Sequence, residues 1–356
     1  MFAVTQRRAN IFGLGLIGGS LGLALSSKGW HVTGCDSVAQ TEQQALSLGV
    51  IQQIGVDKNA SITFVATPVS TIGDQVARAL RETSGLVTDV GGVKAHLADQ
   101  IHDPRFIGGH PMAGSELIGL AGADPKLFEG AVWVLTPSVG IDDKNFEKVA
   151  AVVTELGSEI VVLDPQLHDQ LVAIVSHLPH LTAAALMGLA SERAQEHVAV
   201  LRLAAGGFRD MTRVASGHPA IWIDICRENR DAIVIALDGL IDGLAQMKQI
   251  VVQGDSNELT KRLQQSRVAR SNLPSRVRDL MDVVEVRVPI PDRSGAAAEI
   301  FTLAAELGVN IANFEVAHSV EGDRGVLVLV VEQISQDVFR GGLIARGFRP
   351  TLQQIS

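Results

Sequence analysis

The chain has 356 residues, more than one hydrophobic core usually spans, so two or three domains are expected. Hydrophobic residues make up 46% and charged residues 19%, which excludes an extended disordered chain. A net charge of −9 argues against nucleic acid or an anionic membrane as a partner, because either needs a concentrated Lys/Arg face.

In chain order, Arg7 and Arg8 precede an apolar stretch, but the glycines that follow do not suit a secretory signal. Ala9 to Leu14 reads as a strand entering a glycine cluster, and Leu16 to Ser27 follows at helical length. Further strands are expected at His31 to Cys35, Ser61 to Ala66 and Leu86 to Thr88, each separated by room for a crossover helix. Ala131 to Leu135 and Glu159 to Leu163 continue the series around a helix from Asp143 to Leu156. The alternation predicts an α/β domain over residues 1–165, a doubly wound parallel sheet of Rossmann type.

Strand signals then stop. Gln166 to Ile174, Pro179 to Glu192, Pro219 to Val252 and Ser256 to Gln265 read as helices, so residues 166–280 form an all-helical domain. Ala232 to Leu244 is more apolar than one isolated helix can bury, which predicts packing against a second subunit in a homodimer. Leu171 to Ala190 is apolar, yet Ser176, His177, Pro179 and His180 mark it as a buried helix and not a membrane span. Arg267 to Arg278, broken by Pro274, reads as a solvated linker.

Residues 281–356 change character again. Strands at Val283 to Val288, Asn310 to Ser319, Gly325 to Glu332 and Pro350 to Ile355 alternate with helices at Ser294 to Leu307, capped by Ser294, and Gln336 to Ala345. The order is βαββαβ, four strands backed by two helices, a ferredoxin-like unit. Cys35 and Cys226 show no metal-type spacing, so no metal is expected, and both fit small buried residues in a reducing, cytoplasmic setting.

Gly13-Leu14-Gly15-Leu16-Ile17-Gly18 lies between strand and helix, the setting in which GxGxxG binds a dinucleotide. Gly13 permits the turn, Gly15 lets pyrophosphate approach, and Gly18 lets helix and strand pack, with Leu16 and Ile17 opening the anion-binding helix end. Asp36, closing the second strand, can accept from both ribose hydroxyls and repel a 2′-phosphate, which favours NAD over NADP. The alternative is that Asp36 begins a turn only.

Four more clusters stand out: Thr88 to Lys94, Gly108 to Glu116, Ser176 to His180 and Gly206 to Arg213. With Gly13 to Gly18 and Ala66-Thr67-Pro68, they resemble the prephenate and arogenate dehydrogenase family over roughly residues 9 to 265, and the terminal unit resembles the ACT domains appended to some members. The resemblance implies NAD-dependent oxidative decarboxylation of prephenate on the route to tyrosine. It implies His110 as the catalytic histidine and His180 and Arg213 as substrate-side-chain partners. Asp210, Glu116 and Trp222 would position the arginine or shape the pocket, Ser115 would stand where relatives have Ser or Thr, and Thr67 and Pro68 would border the cofactor.

The chemistry supports those roles independently. Hydride loss creates a carbonyl, so a neutral imidazole suits removal of the hydroxyl proton. A cation on the departing carboxylate would slow decarboxylation, so Arg213 is expected on the side-chain carboxylate. Many relatives carry serine where Gly92 stands, and a water is expected to replace its hydroxyl.

In the terminal unit, Asp292, Gly295, Gly308 and Asn310 match positions that line an amino-acid effector, tyrosine being the logical one. The alternative gives the two glycines turn and C-cap roles only. Other readings of the whole chain are an arogenate dehydrogenase, a β-hydroxyacid dehydrogenase, whose catalytic lysine has no placeable counterpart, and a non-catalytic NAD and amino-acid sensor.

Overall fold

The computed structural model describes residues 6–114, 117–197, 199–273, 283–291, 295–318 and 324–354. Ser115, Glu116, Asp292 and Ser294 therefore lie outside the described residues, as does the stretch from Pro274 to Asp282. By internal contacts the chain divides into Met1–Val252 and Gln253–Ser356.

The first unit begins with β1 (Arg8–Phe12), α1 (Leu16–Ser27), β2 (His31–Cys35), α2 (Ala39–Ser47), β3 (Gln53–Ile54), β4 (Ile62–Val65), α3 (Val69–Glu82), β5 (Leu86–Asp89) and α4 (Ala95–Gln100). It continues through β6 (Phe106–Pro111), β7 (Val132–Thr136), α5 (Asp143–Glu155) and β8 (Glu159–Val162). The sheet order is β3-β2-β1-β4-β5-β6-β7-β8. All of β4 and β5 is buried, as expected of parallel strands covered on both faces. Leu21 and Leu25 of α1 join one core with Ile11, Phe64 and Trp133, while Ile72, Val76 and Ala79 of α3 join another with Phe12, Val65 and Val87.

The sheet departs from the expected all-parallel arrangement in one place: β7 runs antiparallel to β6. Among the described residues between them, the sole helical segment is the 3-10 turn Leu120–Gly122, too short for the crossover that a parallel return requires. β6 itself departs from the strand pattern, because Gly108, Gly109 and Pro111 are residues that strands usually avoid. Close approach explains Gly109. A Cβ there would meet the Asp89 carbonyl oxygen at 2.7 Å and the Trp133 indole nitrogen at 2.9 Å.

The helices that follow are α6 (Pro165–Val172), α7 (Leu178–Glu196), α8 (Ala199–Arg202), α9 (Gly206–Thr212), α10 (Pro219–Glu228) and α11 (Arg230–Gln253). Asp164 caps α6 by accepting from the amides of Gln166 and Leu167, with Pro165 at the first helical position. A π turn, Ala173–His177, joins α6 to α7, so two expected helices form one continuous rod. The single helix expected from Pro219 to Val252 is instead two, divided at Asn229, whose side chain is drawn into a buried polar network. The expected buried helix is covered on one side only: Leu171, Ile174, Val175 and Leu189 stay exposed within this chain. By length and composition Pro165–Glu196 could cross a membrane, but it carries buried His168, Asp169, His177 and His180.

The second unit contains α12 (Ser256–Ser271), β9 (Val283–Pro291), α13 (Ala296–Glu306), β10 (Ile311–His318), β11 (Arg324–Glu332), α14 (Gln336–Ala345) and β12 (Thr351–Gln354). The linker expected from Arg267 is thus helical through Ser271. The four strands form an antiparallel sheet in the order β10-β11-β9-β12. Alternation builds its core: Val284, Val286 and Val288 of β9 lie opposite Val331, Leu329 and Leu327 of β11, under Ile300 and Leu303 of α13 and Phe339 and Leu343 of α14.

Candidate active site

Four neighbouring strands, β1, β4, β5 and β6, deliver their C-terminal ends to one edge of the sheet, where open α/β sheets bind ligands. β1 ends in the Gly13 turn, β4 in Ala66-Thr67-Pro68, β5 in Gly91-Gly92, and β6 carries His110. At Gly13 φ is +89°, and a Cβ would stand 2.5 Å from the Ala66 carbonyl oxygen. A Cβ at Gly18 would lie 1.8 Å from the Gly13 carbonyl oxygen, so the helix packs against the turn only because this residue is glycine. Gly15 is different: nothing stands within 4 Å of its absent Cβ. The space over Gly15 fits a pyrophosphate, and Thr67 Oγ1, buried with no hydrogen-bond partner among the described residues, is a polar group fit for a ligand.

Asp36 does two things at once. Its carboxylate accepts from the Leu14 amide at 2.7 Å, bracing the glycine turn, and from the Val38 amide at 2.9 Å, the turn role considered above. A carboxylate retains acceptor capacity beyond two bonds, so ribose hydroxyls can still be met.

Asp89 clamps the strand ends around His110. Its carboxylate accepts from the amides of Gly91 at 2.8 Å and Gly109 at 3.2 Å and pairs with the buried Lys94 ammonium. The clamp sets the Gly91-Gly92 loop beside the imidazole: a Cβ on Gly92 would lie 3.7 Å from both Cε1 and Nε2 of His110. The opposite nitrogen, His110 Nδ1, lies 2.9 Å from Nε2 of the fully buried His168, and His168 Nδ1 lies 2.7 Å from Oδ1 of Asp169. Burial, reinforced by His168, Lys94 and His177, holds the His110 imidazole well below the ordinary value of 6.5. It is therefore held neutral, the state an imidazole needs in order to accept a proton.

The network continues into the helices. Asn229 Nδ2 donates to the Asp169 carbonyl at 2.9 Å and lies 3.2 Å from His177 Nδ1. The His177 ring meets Trp222 edge-on at 6.1 Å, and Trp222 stacks on His180 at 3.5 Å and 10°. Burial lowers His177 to about 4 despite the raising influence of Asp169. Burial also lowers His180, partly offset by its hydrogen bond to the Val214 backbone. Arg213 opens the 3-10 turn Arg213–Ser216, adjacent to Val214, and is exposed, as is Asp210 on α9.

The structure thus gathers Gly92 with His110, and His180 with Trp222, and links the two groups through polar and ring contacts. Sequence reasoning passed over His168, Asp169 and Asn229, and it assigned no part in the site to Asp89, Lys94 or His177. A His-Asp pair inside an otherwise apolar helix was the available signal, since buried polar groups need partners. In the second unit, Gly295 (φ +89°) and Gly308 (φ +66°) flank α13 at opposite ends, with Asn310 exposed beyond. Left-handed backbone accounts for both glycines as turn and cap residues. The 11 residues of α13 separate them by about 17 Å within one chain.

Comparison with known proteins agrees with this arrangement. Residues 21–162 match the family described as prephenate dehydrogenase, nucleotide-binding domain, and residues 164–265 its dimerization domain. A prephenate dehydrogenase of Bacillus subtilis is 34% identical over 331 residues, covering 88% of this chain and 89% of that protein. The crystal structure of A. aeolicus prephenate dehydrogenase with hydroxyphenyl propionate and NAD+ superposes with a TM-score of 0.71 at 29% identity, covering 76% of this chain and 100% of that one. Synechocystis arogenate dehydrogenase superposes with a TM-score of 0.67 at 32% identity, covering 75% and 100% respectively. With a matching sheet, a glycine-turn cradle and a half-buried histidine at the same edge of the sheet, the chain belongs to the prephenate dehydrogenase family of NAD-dependent oxidoreductases.

Proposed function

We propose that the protein oxidatively decarboxylates prephenate to 4-hydroxyphenylpyruvate in tyrosine biosynthesis. The observation that carries this reading is the position of His110: a neutral imidazole at the edge of the sheet that also bears the glycine turn, with its Nε2 side open at Gly92. NAD, held by Gly13 to Gly18, Asp36, Thr67 and Pro68, supplies the hydride acceptor when bound. His110 Nε2 takes the hydroxyl proton as the O–H pair becomes the carbonyl π bond. The bond to the ring carboxylate then breaks, its electrons aromatise the ring, and the ring oxygen recovers a proton as carbon dioxide leaves. Arg213, His180 and Trp222 hold the side chain, leaving the departing carboxylate without a clamp. Ser115, Glu116 and Asp210 take the supporting roles that the family resemblance gives them.

A second substrate, arogenate, has a specific argument in the likeness to the Synechocystis enzyme. Parallel assays of NADH formation from prephenate and arogenate decide between them. Faster turnover of prephenate is the expected result, and turnover of arogenate alone overturns the preference.

The C-terminal unit is read as an ACT domain of ferredoxin-like fold that binds tyrosine as a feedback inhibitor at Asp292, Gly295, Gly308 and Asn310. Its βαββαβ order and strand arrangement support this. Because Gly295 and Gly308 sit at opposite ends of α13, one small ligand reaches both only where two chains meet, which supports a homodimer. The two free thiols, Cys35 and Cys226, support a reducing, cytoplasmic setting.

A further inference from the structure

The buried pair behind His110 carries an inference that deepens the proposed dehydrogenase reading. Asp169 sits where its carboxylate meets three donors. Oδ1 accepts from the Lys94 amide at 2.8 Å, and Oδ2 accepts from the Ala95 amide at 2.8 Å. Backbone amides can only donate, so both carboxylate oxygens are committed as acceptors. His168 Nδ1, 2.7 Å from Oδ1, must then be the donor in that contact. Where the His168 ring is neutral, hydrogen on Nδ1 leaves its lone pair on Nε2. That atom faces His110 Nδ1 at 2.9 Å, so His110 must donate from Nδ1, and its own lone pair falls on Nε2. Nε2 is the nitrogen beside the open space at Gly92.

We propose that His168 and Asp169 are positioning residues that fix His110 in the tautomer hydrogenated on Nδ1, aiming the Nε2 lone pair at the substrate hydroxyl. A free imidazole in water favours the opposite tautomer, so without this pair His110 would present a hydrogen where a lone pair is needed. When the hydroxyl O–H bond breaks, the new N–H bond forms on Nε2, and the Nδ1 hydrogen stays bonded to His168. The resulting imidazolium is braced by the same two residues. His168 is fully buried and Asp169 nearly so, and Asn229 Nδ2 anchors the Asp169 carbonyl, so the pair is held rigidly.

The test uses the full-length protein labelled with 15N-histidine, examined by long-range 1H–15N correlation at about pH 8, where ordinary imidazoles are neutral. The His110 signal is the one lost in His110→Asn. The expected pattern is hydrogen on Nδ1 in the unsubstituted protein and a shift towards the Nε2 form in His168→Leu. Hydrogen on Nε2 in the unsubstituted protein, or an unchanged pattern in His168→Leu, overturns the proposal.

Kinetics with NAD+ and prephenate supply the second arm. kcat should fall on the order of 10²-fold in His168→Leu, with KM and NAD affinity within about threefold. His168→Gln, whose amide oxygen can accept from His110 Nδ1, should recover about tenfold or more over the leucine variant. A leucine variant as active as the unsubstituted protein, or a glutamine variant no better than leucine, overturns the positioning role. Should His168→Leu fail to fold, the unsubstituted spectrum and the glutamine variant decide. Failure of the dehydrogenase reading looks different: no NADH from the unsubstituted protein, with the tautomer pattern intact.

Discussion

At position 110 the decisive property is a low proton affinity, set first by burial and then by neighbouring His168, Lys94 and His177. A base whose pKa is lowered stays neutral further into acid. The acidic limb of kcat/KM against pH should therefore lie below 6.5, and a midpoint at or above 6.5 would contradict the site description. The glycines give a second contrast. Gly15→Ala meets no protein atom, so it should leave thermal stability unchanged and weaken NAD binding about tenfold or more. Gly18→Ala collides with the Gly13 carbonyl and should lower Tm as well as cofactor affinity, which calorimetry and cofactor titration together can distinguish. Gly92→Ser brings its Cβ only to ordinary contact with the His110 ring, so the folded protein should accept a hydroxyl there with Tm within about 2 °C of the starting value.

Elements were legible where their patterns were local. The glycine turn, the helix from Leu16 to Ser27 and the helix from Gln336 to Ala345 could all be read from spacing, because their residues answer mainly to their own neighbours. β6 could not, since Gly109 is explained by close packing against Asp89 and Trp133 and Gly108 by close approach to Thr136, all on other strands. The break at Asn229 and the His168-Asp169 pair were hidden for the same reason: their partners are far away in sequence. His110 and the His180–Trp222 stack were reachable only through motif resemblance, and no spacing rule would have paired His110 with His168. The rod formed by α6, the π turn and α7 also has a stability signature. His177 titrates near 4 when folded and near its ordinary 6.5 when unfolded, so the unfolded chain binds more protons between those values. Stability from this group is intact above 6.5 and lost as pH falls towards 4. Tm should drop across that window, and His177→Asn should flatten the drop.

The whole molecule shows apolar surface that a lone chain leaves uncovered. Val234, Ile235, Ile241 and Leu244 of α11 are exposed, as are Ile221 and Ile223 of α10. Patches of this kind on a helical domain are what a second copy covers. Ile235→Asp should convert the proposed dimer to monomer in sedimentation equilibrium, and an unchanged mass would place the interface elsewhere. The proposed tyrosine site makes a prediction at this scale too: Asn310→Ala should relieve any inhibition by added tyrosine while leaving uninhibited turnover unchanged, as assays with and without tyrosine would show.

The most direct measurement is hydride transfer from prephenate to NAD+, followed as NADH in single turnover, in the unsubstituted protein and in His110→Asn. The expected result is a loss on the order of 10²-fold or more with NAD affinity preserved. Equal rates in the two proteins would contradict His110 as the base on which the reading depends.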